Sequence, residues 1–272
     1  MKRAILLGTT GIAIAFAMLA AGYLSGNSGR AIAEDATPTS QQAATTSLPR
    51  AEVEAIVRDY LLANPEIMLE VQQALEMKQR EEQRLASQEA ISADRDEIFN
   101  AAYDGVVGNP DGKVTIVEFF DYNCGYCKRA QEDMQALTAA DPELRFVLKE
   151  FPILGEDSVQ AHIVSMAVHK IAPDKFADFH NQLLGSRGRA NEAGAIKIAT
   201  ALGVDEAALR ETMKDDAIHE SFQKTMALAD KLQITGTPSY VVGDEVVYGA
   251  LGRQVLGEKI AAVKAACTSE TC

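Results

Sequence analysis

The chain predicts an α/β domain with a helical insertion, preceded by a helical stalk, and three observations carry that reading. Val114–Phe120 is a strongly apolar, β-branched and aromatic stretch, the pattern of a buried strand, and Leu144–Phe151 is a second. The helical pattern over Tyr126–Leu137 between them makes a βαβ unit, whose strands run parallel through a right-handed connection. After a long helical stretch ending near residue 232 come Ser239–Gly243 and Glu245–Tyr248, split by Gly243-Asp244, which is a hairpin signal.

In chain order, Lys2 and Arg3 precede the uncharged stretch Ala4–Leu24, and Ala31-Ile32-Ala33 offers a small-x-small cleavage site. Residues 1–33 therefore read as a signal peptide or, since the stretch approaches membrane-spanning length, as an uncleaved anchor. Either outcome delivers the remainder outside the cytoplasm. Residues 34–49 are rich in Ala, Ser, Thr, Gln and Pro without periodicity, a flexible linker.

From Arg50 the pattern turns helical. Val53, Ile56, Val57, Tyr60 and Leu61 fall on one face, and Asn64-Pro65 breaks the run, with Asn64 as cap and Pro65 in the next first turn. A second helix over about Glu66–Ala93 carries only a narrow apolar stripe: Met68, Val71, Leu75 and Leu85. Two readings stand. The helix is solvated and packs loosely on the main domain, or it is a stalk in a 50–100 oligomerisation region. The narrow stripe suits helix–helix association into a dimer or trimer, although the heptad signal does not fix the number.

The catalytic domain is expected over residues 101–272. Past the turn Asn109–Gly112 come the βαβ unit and then an insertion of about 153–232. Its helical segments lie near 157–171, 174–186, 191–202, 206–214 and 216–232, punctuated by Pro173, Gly185, Gly188 and Gly203. A last helix runs over about Gln254–Ala266.

Without residues 1–33 the chain has 23 basic and 39 acidic side chains, a net charge of −16. So acidic a chain argues against nucleic acid and anionic membrane surfaces as partners. With four cysteines among 272 residues it is no disulfide-stapled scaffold.

The chemistry concentrates in Cys124-Gly125-Tyr126-Cys127, at the turn from the first buried strand into a helix. Free N–H groups and the helix dipole stabilise a thiolate there, so Cys124 ionises more easily than a free cysteine. Cys127 lies one turn in, within disulfide reach. A zinc site would need further ligands at suitable spacing, and neither Cys267 and Cys272 nor His162, His169, His180 and His219 provide them. His162, Met166 and His169 read as core and surface positions, so no metal site is assigned.

Strand, CxxC helix, strand, helical block, hairpin and helix resemble the thioredoxin-type arrangement as the bacterial DsbA family of disulfide oxidoreductases elaborates it. Glu118-Phe119-Phe120 before the CxxC and Thr237-Pro238 before the hairpin match that family. Val57–Glu66 ahead of a polar helix is similar to its subgroup of suppressor-of-copper-sensitivity (ScsC) proteins. The resemblance spans about residues 50–266. It implies that Cys124 is the attacking thiolate and Cys127 the resolving thiol. Glu118 would carry the Cys127 proton through a water, a role compatible with charge pairing to Lys149 on the next strand. A cis Thr237–Pro238 bond would leave backbone free to bind an extended substrate, and Gly125 and Tyr126 would tune redox poise at the substrate-facing turn.

The resemblance further implies a periplasmic, cofactor-free thiol–disulfide oxidoreductase acting on exported proteins with cysteines. It would be recharged by a membrane redox partner. With no histidine between the cysteines and a threonine before the proline, it resembles the isomerase or reductase side of the superfamily. A dithiol oxidase and a copper-binding or chaperone protein are the alternatives. Cys267 and Cys272 are expected to close a small terminal disulfide, with an accessory redox pair or a metal contact as the other readings.

Overall fold

The computed structural model describes residues 48–267, which fall into two units divided between Ala63 and Asn64. The described part of the first is a single helix, α1 (Arg50–Ala63). Its apolar face is as the spacing predicts, and Val53, Ile56, Val57 and Tyr60 on it are 42–59% exposed. The export segment expected at 1–33, most of the 34–49 linker and Cys272 lie outside the described residues. Among the described residues, no helix is long and apolar enough to cross a membrane.

The second unit begins with α2 (Glu66–Ala93) and α3 (Arg95–Phe99). Next come β1 (Gly105–Gly108), β2 (Val114–Phe120), α4 (Gly125–Ala140) and β3 (Leu144–Glu150). The insertion supplies α5 (Glu156–Ile171), α6 (Pro173–Leu184), α7 (Glu192–Ala201), α8 (Glu206–Thr212) and α9 (Asp216–Lys231). β4 (Ser239–Val242), β5 (Glu245–Tyr248) and α10 (Gly252–Ala266) close the chain. The strands form one five-stranded sheet in the order β1-β3-β2-β4-β5. β2 and β3 run parallel, with Val114 beside Leu144 and Phe120 beside Glu150. The other neighbours are antiparallel, and Gly243, at φ +64°, turns the β4–β5 hairpin.

Strand side chains alternate between faces, so β2 and β3 serve two cores. Ile116, Phe120, Phe146 and Leu148 face one, shared with Cys127 and Met134 of α4, Phe179 of α6 and Leu256 of α10. Val117, Phe119, Val147 and Phe151 face the other, shared with Ile91, Ile98, Phe99, Leu228 and Leu232. This second core explains why the division of the chain falls at 63/64 rather than near 100. The end of α2 and the Ile98-Phe99 end of α3 are buried against the sheet. Ser87 and Ile91 are the buried residues of α2, and Gln83 Nε2 donates to Tyr248 Oη at 3.3 Å while Gln88 Nε2 donates to Asp244 Oδ2 at 2.6 Å.

Three details depart from expectation. β1 and α3 were not foreseen, being too short for a periodicity to develop. The N-cap of α2 falls on Pro65 itself rather than on Asn64.

Candidate active site

β2 ends at Phe120, and Asp121, Tyr122 and Asn123 carry the chain from the sheet to α4. Cys124 is the N-cap of α4, with extended φ −76° and ψ 116°. Its N–H donates to Asp121 O at 3.0 Å and its carbonyl accepts from Lys128 N at 3.0 Å. Cys127, in the first turn, is fully buried, whereas Cys124 keeps 6% exposure at the surface and Tyr126 is 60% exposed. Both thiols are free.

Across the turn, the Thr237–Pro238 bond is cis and the Cys124 Sγ lies 3.2 Å from Thr237 O. A hydrogen bond from the Cys127 thiol acts most strongly on Cys124. With further bonds from the Thr237 side chain and the N–H groups of Cys127 and Tyr126, it brings the Cys124 thiol down to about 5 against the opposing effect of burial. Burial pushes Cys127 the other way, reinforced by its bond to Cys124 and by the charge of Glu118, so it keeps its proton. The two thiols are thus driven apart, the one at the rim toward the thiolate and the one beneath it toward the protonated form. Gly125 has open space where a side chain would project. The Tyr126 ring carries the Arg129 guanidinium over its face, 4.2 Å from the centroid.

Glu118 is 1% exposed and shares its sheet face with Cys127. Its β4 neighbour is Tyr240, whose Oη donates a long 3.5 Å bond to Oε1. Oε2 has no partner among the described residues. Burial raises the carboxyl to about 8, partly opposed by Tyr240 and aided by the charge of Cys124. It can therefore exchange a proton near neutral pH.

The expected pairing of Glu118 with Lys149 is overturned. Lys149 stands beside Phe119 in the parallel register, and Glu118 beside Leu148, so the two charges point to opposite faces of the sheet. Fully buried Lys149 instead pairs with Asp104 Oδ2 at 2.5 Å and donates to Glu97 O.

A buried polar network behind the dithiol was not foreseen. Ser165 Oγ donates to Glu150 Oε1 at 2.6 Å, and Tyr122 Oη lies 2.7 Å from Ser165 Oγ and 3.2 Å from His180 Nδ1. Tyr122 N donates to His162 Nε2 at 3.2 Å, which leaves the His162 proton on Nδ1, facing Glu150. Burial lowers His180 to about 3, keeping the ring neutral. The available signal was Ser158, His162 and Ser165 at i, i+4 and i+7 on α5, a polar stripe along a helix whose middle turns are otherwise mostly apolar. Elsewhere, Cys267 is disulfide-bonded, and its expected partner Cys272 lies outside the described residues. Among the described residues no three His, Cys, Asp or Glu side chains gather into a metal-holding group.

This geometry has counterparts among known proteins. A family model for the DSBA-like thioredoxin domain matches residues 115–261, and one for the copper resistance protein ScsC N-terminal domain matches residues 50–82. The solved structure of a thioredoxin-like oxidoreductase from Silicibacter pomeroyi is 42% identical, with a TM-score of 0.60, covering 64% of this chain and 99% of that one. A linker-deletion mutant of Proteus mirabilis ScsC is 28% identical, with a TM-score of 0.64, covering 82% of this chain and 100% of that one. Disulfide bond formation protein D of Bacillus subtilis is 28% identical over 153 residues, 52% of this chain and 68% of that protein. Of two Salinispora Na+/H+ antiporters that also match, at 25% and 27% identity, the chain spans only 24% of the length.

Proposed function

Since the chain belongs to the DSBA-like thioredoxin family, we propose that it is a cell-envelope thiol–disulfide oxidoreductase that isomerises or reduces disulfides in exported proteins. The observation that carries the reading is the asymmetry of the dithiol. An ionised Cys124 sits at the rim against Thr237, and a protonated Cys127 lies beneath it beside Glu118.

Cys124 thiolate attacks one sulfur of a substrate disulfide, forming the mixed disulfide as the substrate's S–S bond breaks and its second sulfur leaves as a thiolate. In isomerisation that or another substrate thiolate attacks the mixed disulfide, forming a new substrate disulfide and releasing Cys124 as a thiolate. In reduction Glu118 accepts the Cys127 proton, and Cys127 attacks Cys124 Sγ. The substrate thiolate leaves, and the enzyme's own disulfide closes. A membrane redox partner then returns that disulfide to the dithiol. The backbone at Thr237, beside the cis proline, receives the substrate as an extended strand, while Gly125 and Tyr126 form the rim that it crosses.

Isomerisation is supported by the apolar faces of α1 and α2. Their exposure suits a homo-oligomer of two or three chains whose sites act on one misfolded substrate, with residues 50–100 as its assembly region, the end of which also packs on the sheet, and 101–272 as the catalytic domain. The export pattern of residues 1–33 supports the periplasm, and one structural relative is described as a periplasmic thioredoxin-like protein of Salmonella enterica.

Recovery of activity from scrambled, wrongly bonded ribonuclease tests the reading. The full chain is expected to restore it and the Cys124→Ser variant to fail. Rapid oxidation of a reduced peptide without recovery of scrambled ribonuclease would establish an oxidase instead.

A further inference from the structure

The loop between α6 and α7 is stitched to the chain on both sides of the dithiol. Before it, Asn123 grips Ala190 with both ends of its amide. Ala190 N donates to Oδ1 at 2.7 Å, and Nδ2 donates to Ala190 O at 2.9 Å. After it, Lys128 Nζ donates to Ser186 O at 2.9 Å and to Gly188 O at 3.1 Å. Gly188 adopts φ +89°, and no other residue type takes that conformation without strain.

The same Asn123 amide reaches inward. Nδ2 donates to Ser158 Oγ at 3.0 Å, and Ser158 Oγ donates to Asp121 Oδ1 at 2.8 Å. Asp121, fully buried, also accepts from Asn123 N at 2.7 Å and from Leu154 N at 3.0 Å. Its backbone carbonyl holds Cys124 N. Residues 121–123 belong to neither strand nor helix, so no sheet ladder or helical turn fixes them. The insertion does so instead.

We propose that Asn123 and Lys128 are positioning residues of the thiol–disulfide reaction, locking the α6–α7 loop onto the dithiol turn so that the Cys124 sulfur stays in line with its donors. The inference rests on the redox reading above. Hydrogen bonds weaken steeply as their angle opens, so a turn that wanders loses the N–H groups that stabilise its thiolate before the domain itself unfolds. The Lys128 ammonium makes no ion pair among the described residues, and burial lowers its pKa. Placing it on two carbonyls of an irregular loop serves the loop rather than a charge partner.

The test titrates the Cys124 thiolate by its ultraviolet absorbance in the reduced full chain and times its attack on a small disulfide. For Asn123→Ala the ionisation midpoint is expected to rise by about one pH unit, a tenfold change in the equilibrium, with slower attack below the new midpoint. Lys128→Met, which keeps the aliphatic stem, is expected to shift it in the same direction by less, and it carries the test if Asn123→Ala does not fold. A folded variant with lowered melting temperature but unchanged midpoint and attack rate would overturn the proposal, since a merely structural role moves only the first. Failure of the redox reading is separately visible as activity that survives Cys124→Ser.

Discussion

Glu118 and Lys149 are both charged residues buried in the central strands, one residue out of step on neighbouring strands, and the structure treats them oppositely. Lys149 meets Asp104 and a backbone carbonyl on the helical side built by α2, α3 and α9. Glu118, on the other side, has one long bond and an oxygen with no partner among the described residues. A buried charge that is paired is a structural element, because removing its partner leaves an uncompensated charge. One left poorly satisfied beside a thiol keeps a proton that it can give up. Burial alone does not separate the two cases; the partners do.

The largest effect expected from this contrast is on stability. Lys149→Met would strand Asp104 and lower unfolding free energy by about 3 kcal/mol in denaturant melts, while leaving the ionisation of Cys124 unchanged. A neutral outcome would mean that the pair is no more structural than Glu118. Next, Glu118→Gln is expected to slow Cys127-dependent release of a mixed disulfide about 100-fold, leaving the initial attack by Cys124 intact. Rapid-quench trapping of the mixed disulfide separates the steps, and equal slowing of both would remove the proton-carrier role.

The pH dependence of stability sharpens the same comparison. Folding raises Glu118 from 4.5 to about 8, so between those values the folded chain holds a proton that the unfolded chain has released. Stability falls as pH rises through that window. Asp104, raised from 3.8 to about 7, adds a fall of the same sign. The reduced Cys124 thiol, lowered from 9.0 to about 5, acts oppositely, its contribution being complete above 9 and lost as pH falls through 5. On a Cys124→Ser background the slope is therefore expected to be negative from pH 6.5 to 8, above the range in which His180, lowered from 6.5 to about 3, and His169, also lowered by burial, act oppositely. Glu118→Gln should flatten it only in part. A slope unaltered by Glu118→Gln would contradict the raised carboxyl. The smallest effect belongs to Tyr240→Phe. Losing its long bond should cost under about 1 kcal/mol and move Glu118 slightly further up, measurable by NMR titration of the carboxyl carbon.

Much of the architecture was legible because local patterns carry it. The apolar run of β2, the dithiol at its end and the Gly243-Asp244 turn each announce one conformation, and the structure has all three. What sequence did not give is what register and distance decide. Whether Lys149 faces Glu118 depends on which β3 residue stands beside Phe119, and a shift of one residue exchanges the faces. Asn123 meets Ala190 across 67 positions. The stripe Ser158, His162 and Ser165 resembles a wetted helix face until the segment Asp121–Asn123 is laid against it.

The 28 residues of α2 span roughly 42 Å at the helical rise, and nothing in it is buried before Ser87. Backbone amides open with a free energy set by local packing, so deuterium should enter this helix from the Glu66 end and slow progressively toward Ile91. The helix thus serves as a graduated reporter. Its slow end registers the integrity of the domain, and any protection appearing near Met68 or Val71 at higher protein concentration registers neighbours gained there, residue by residue.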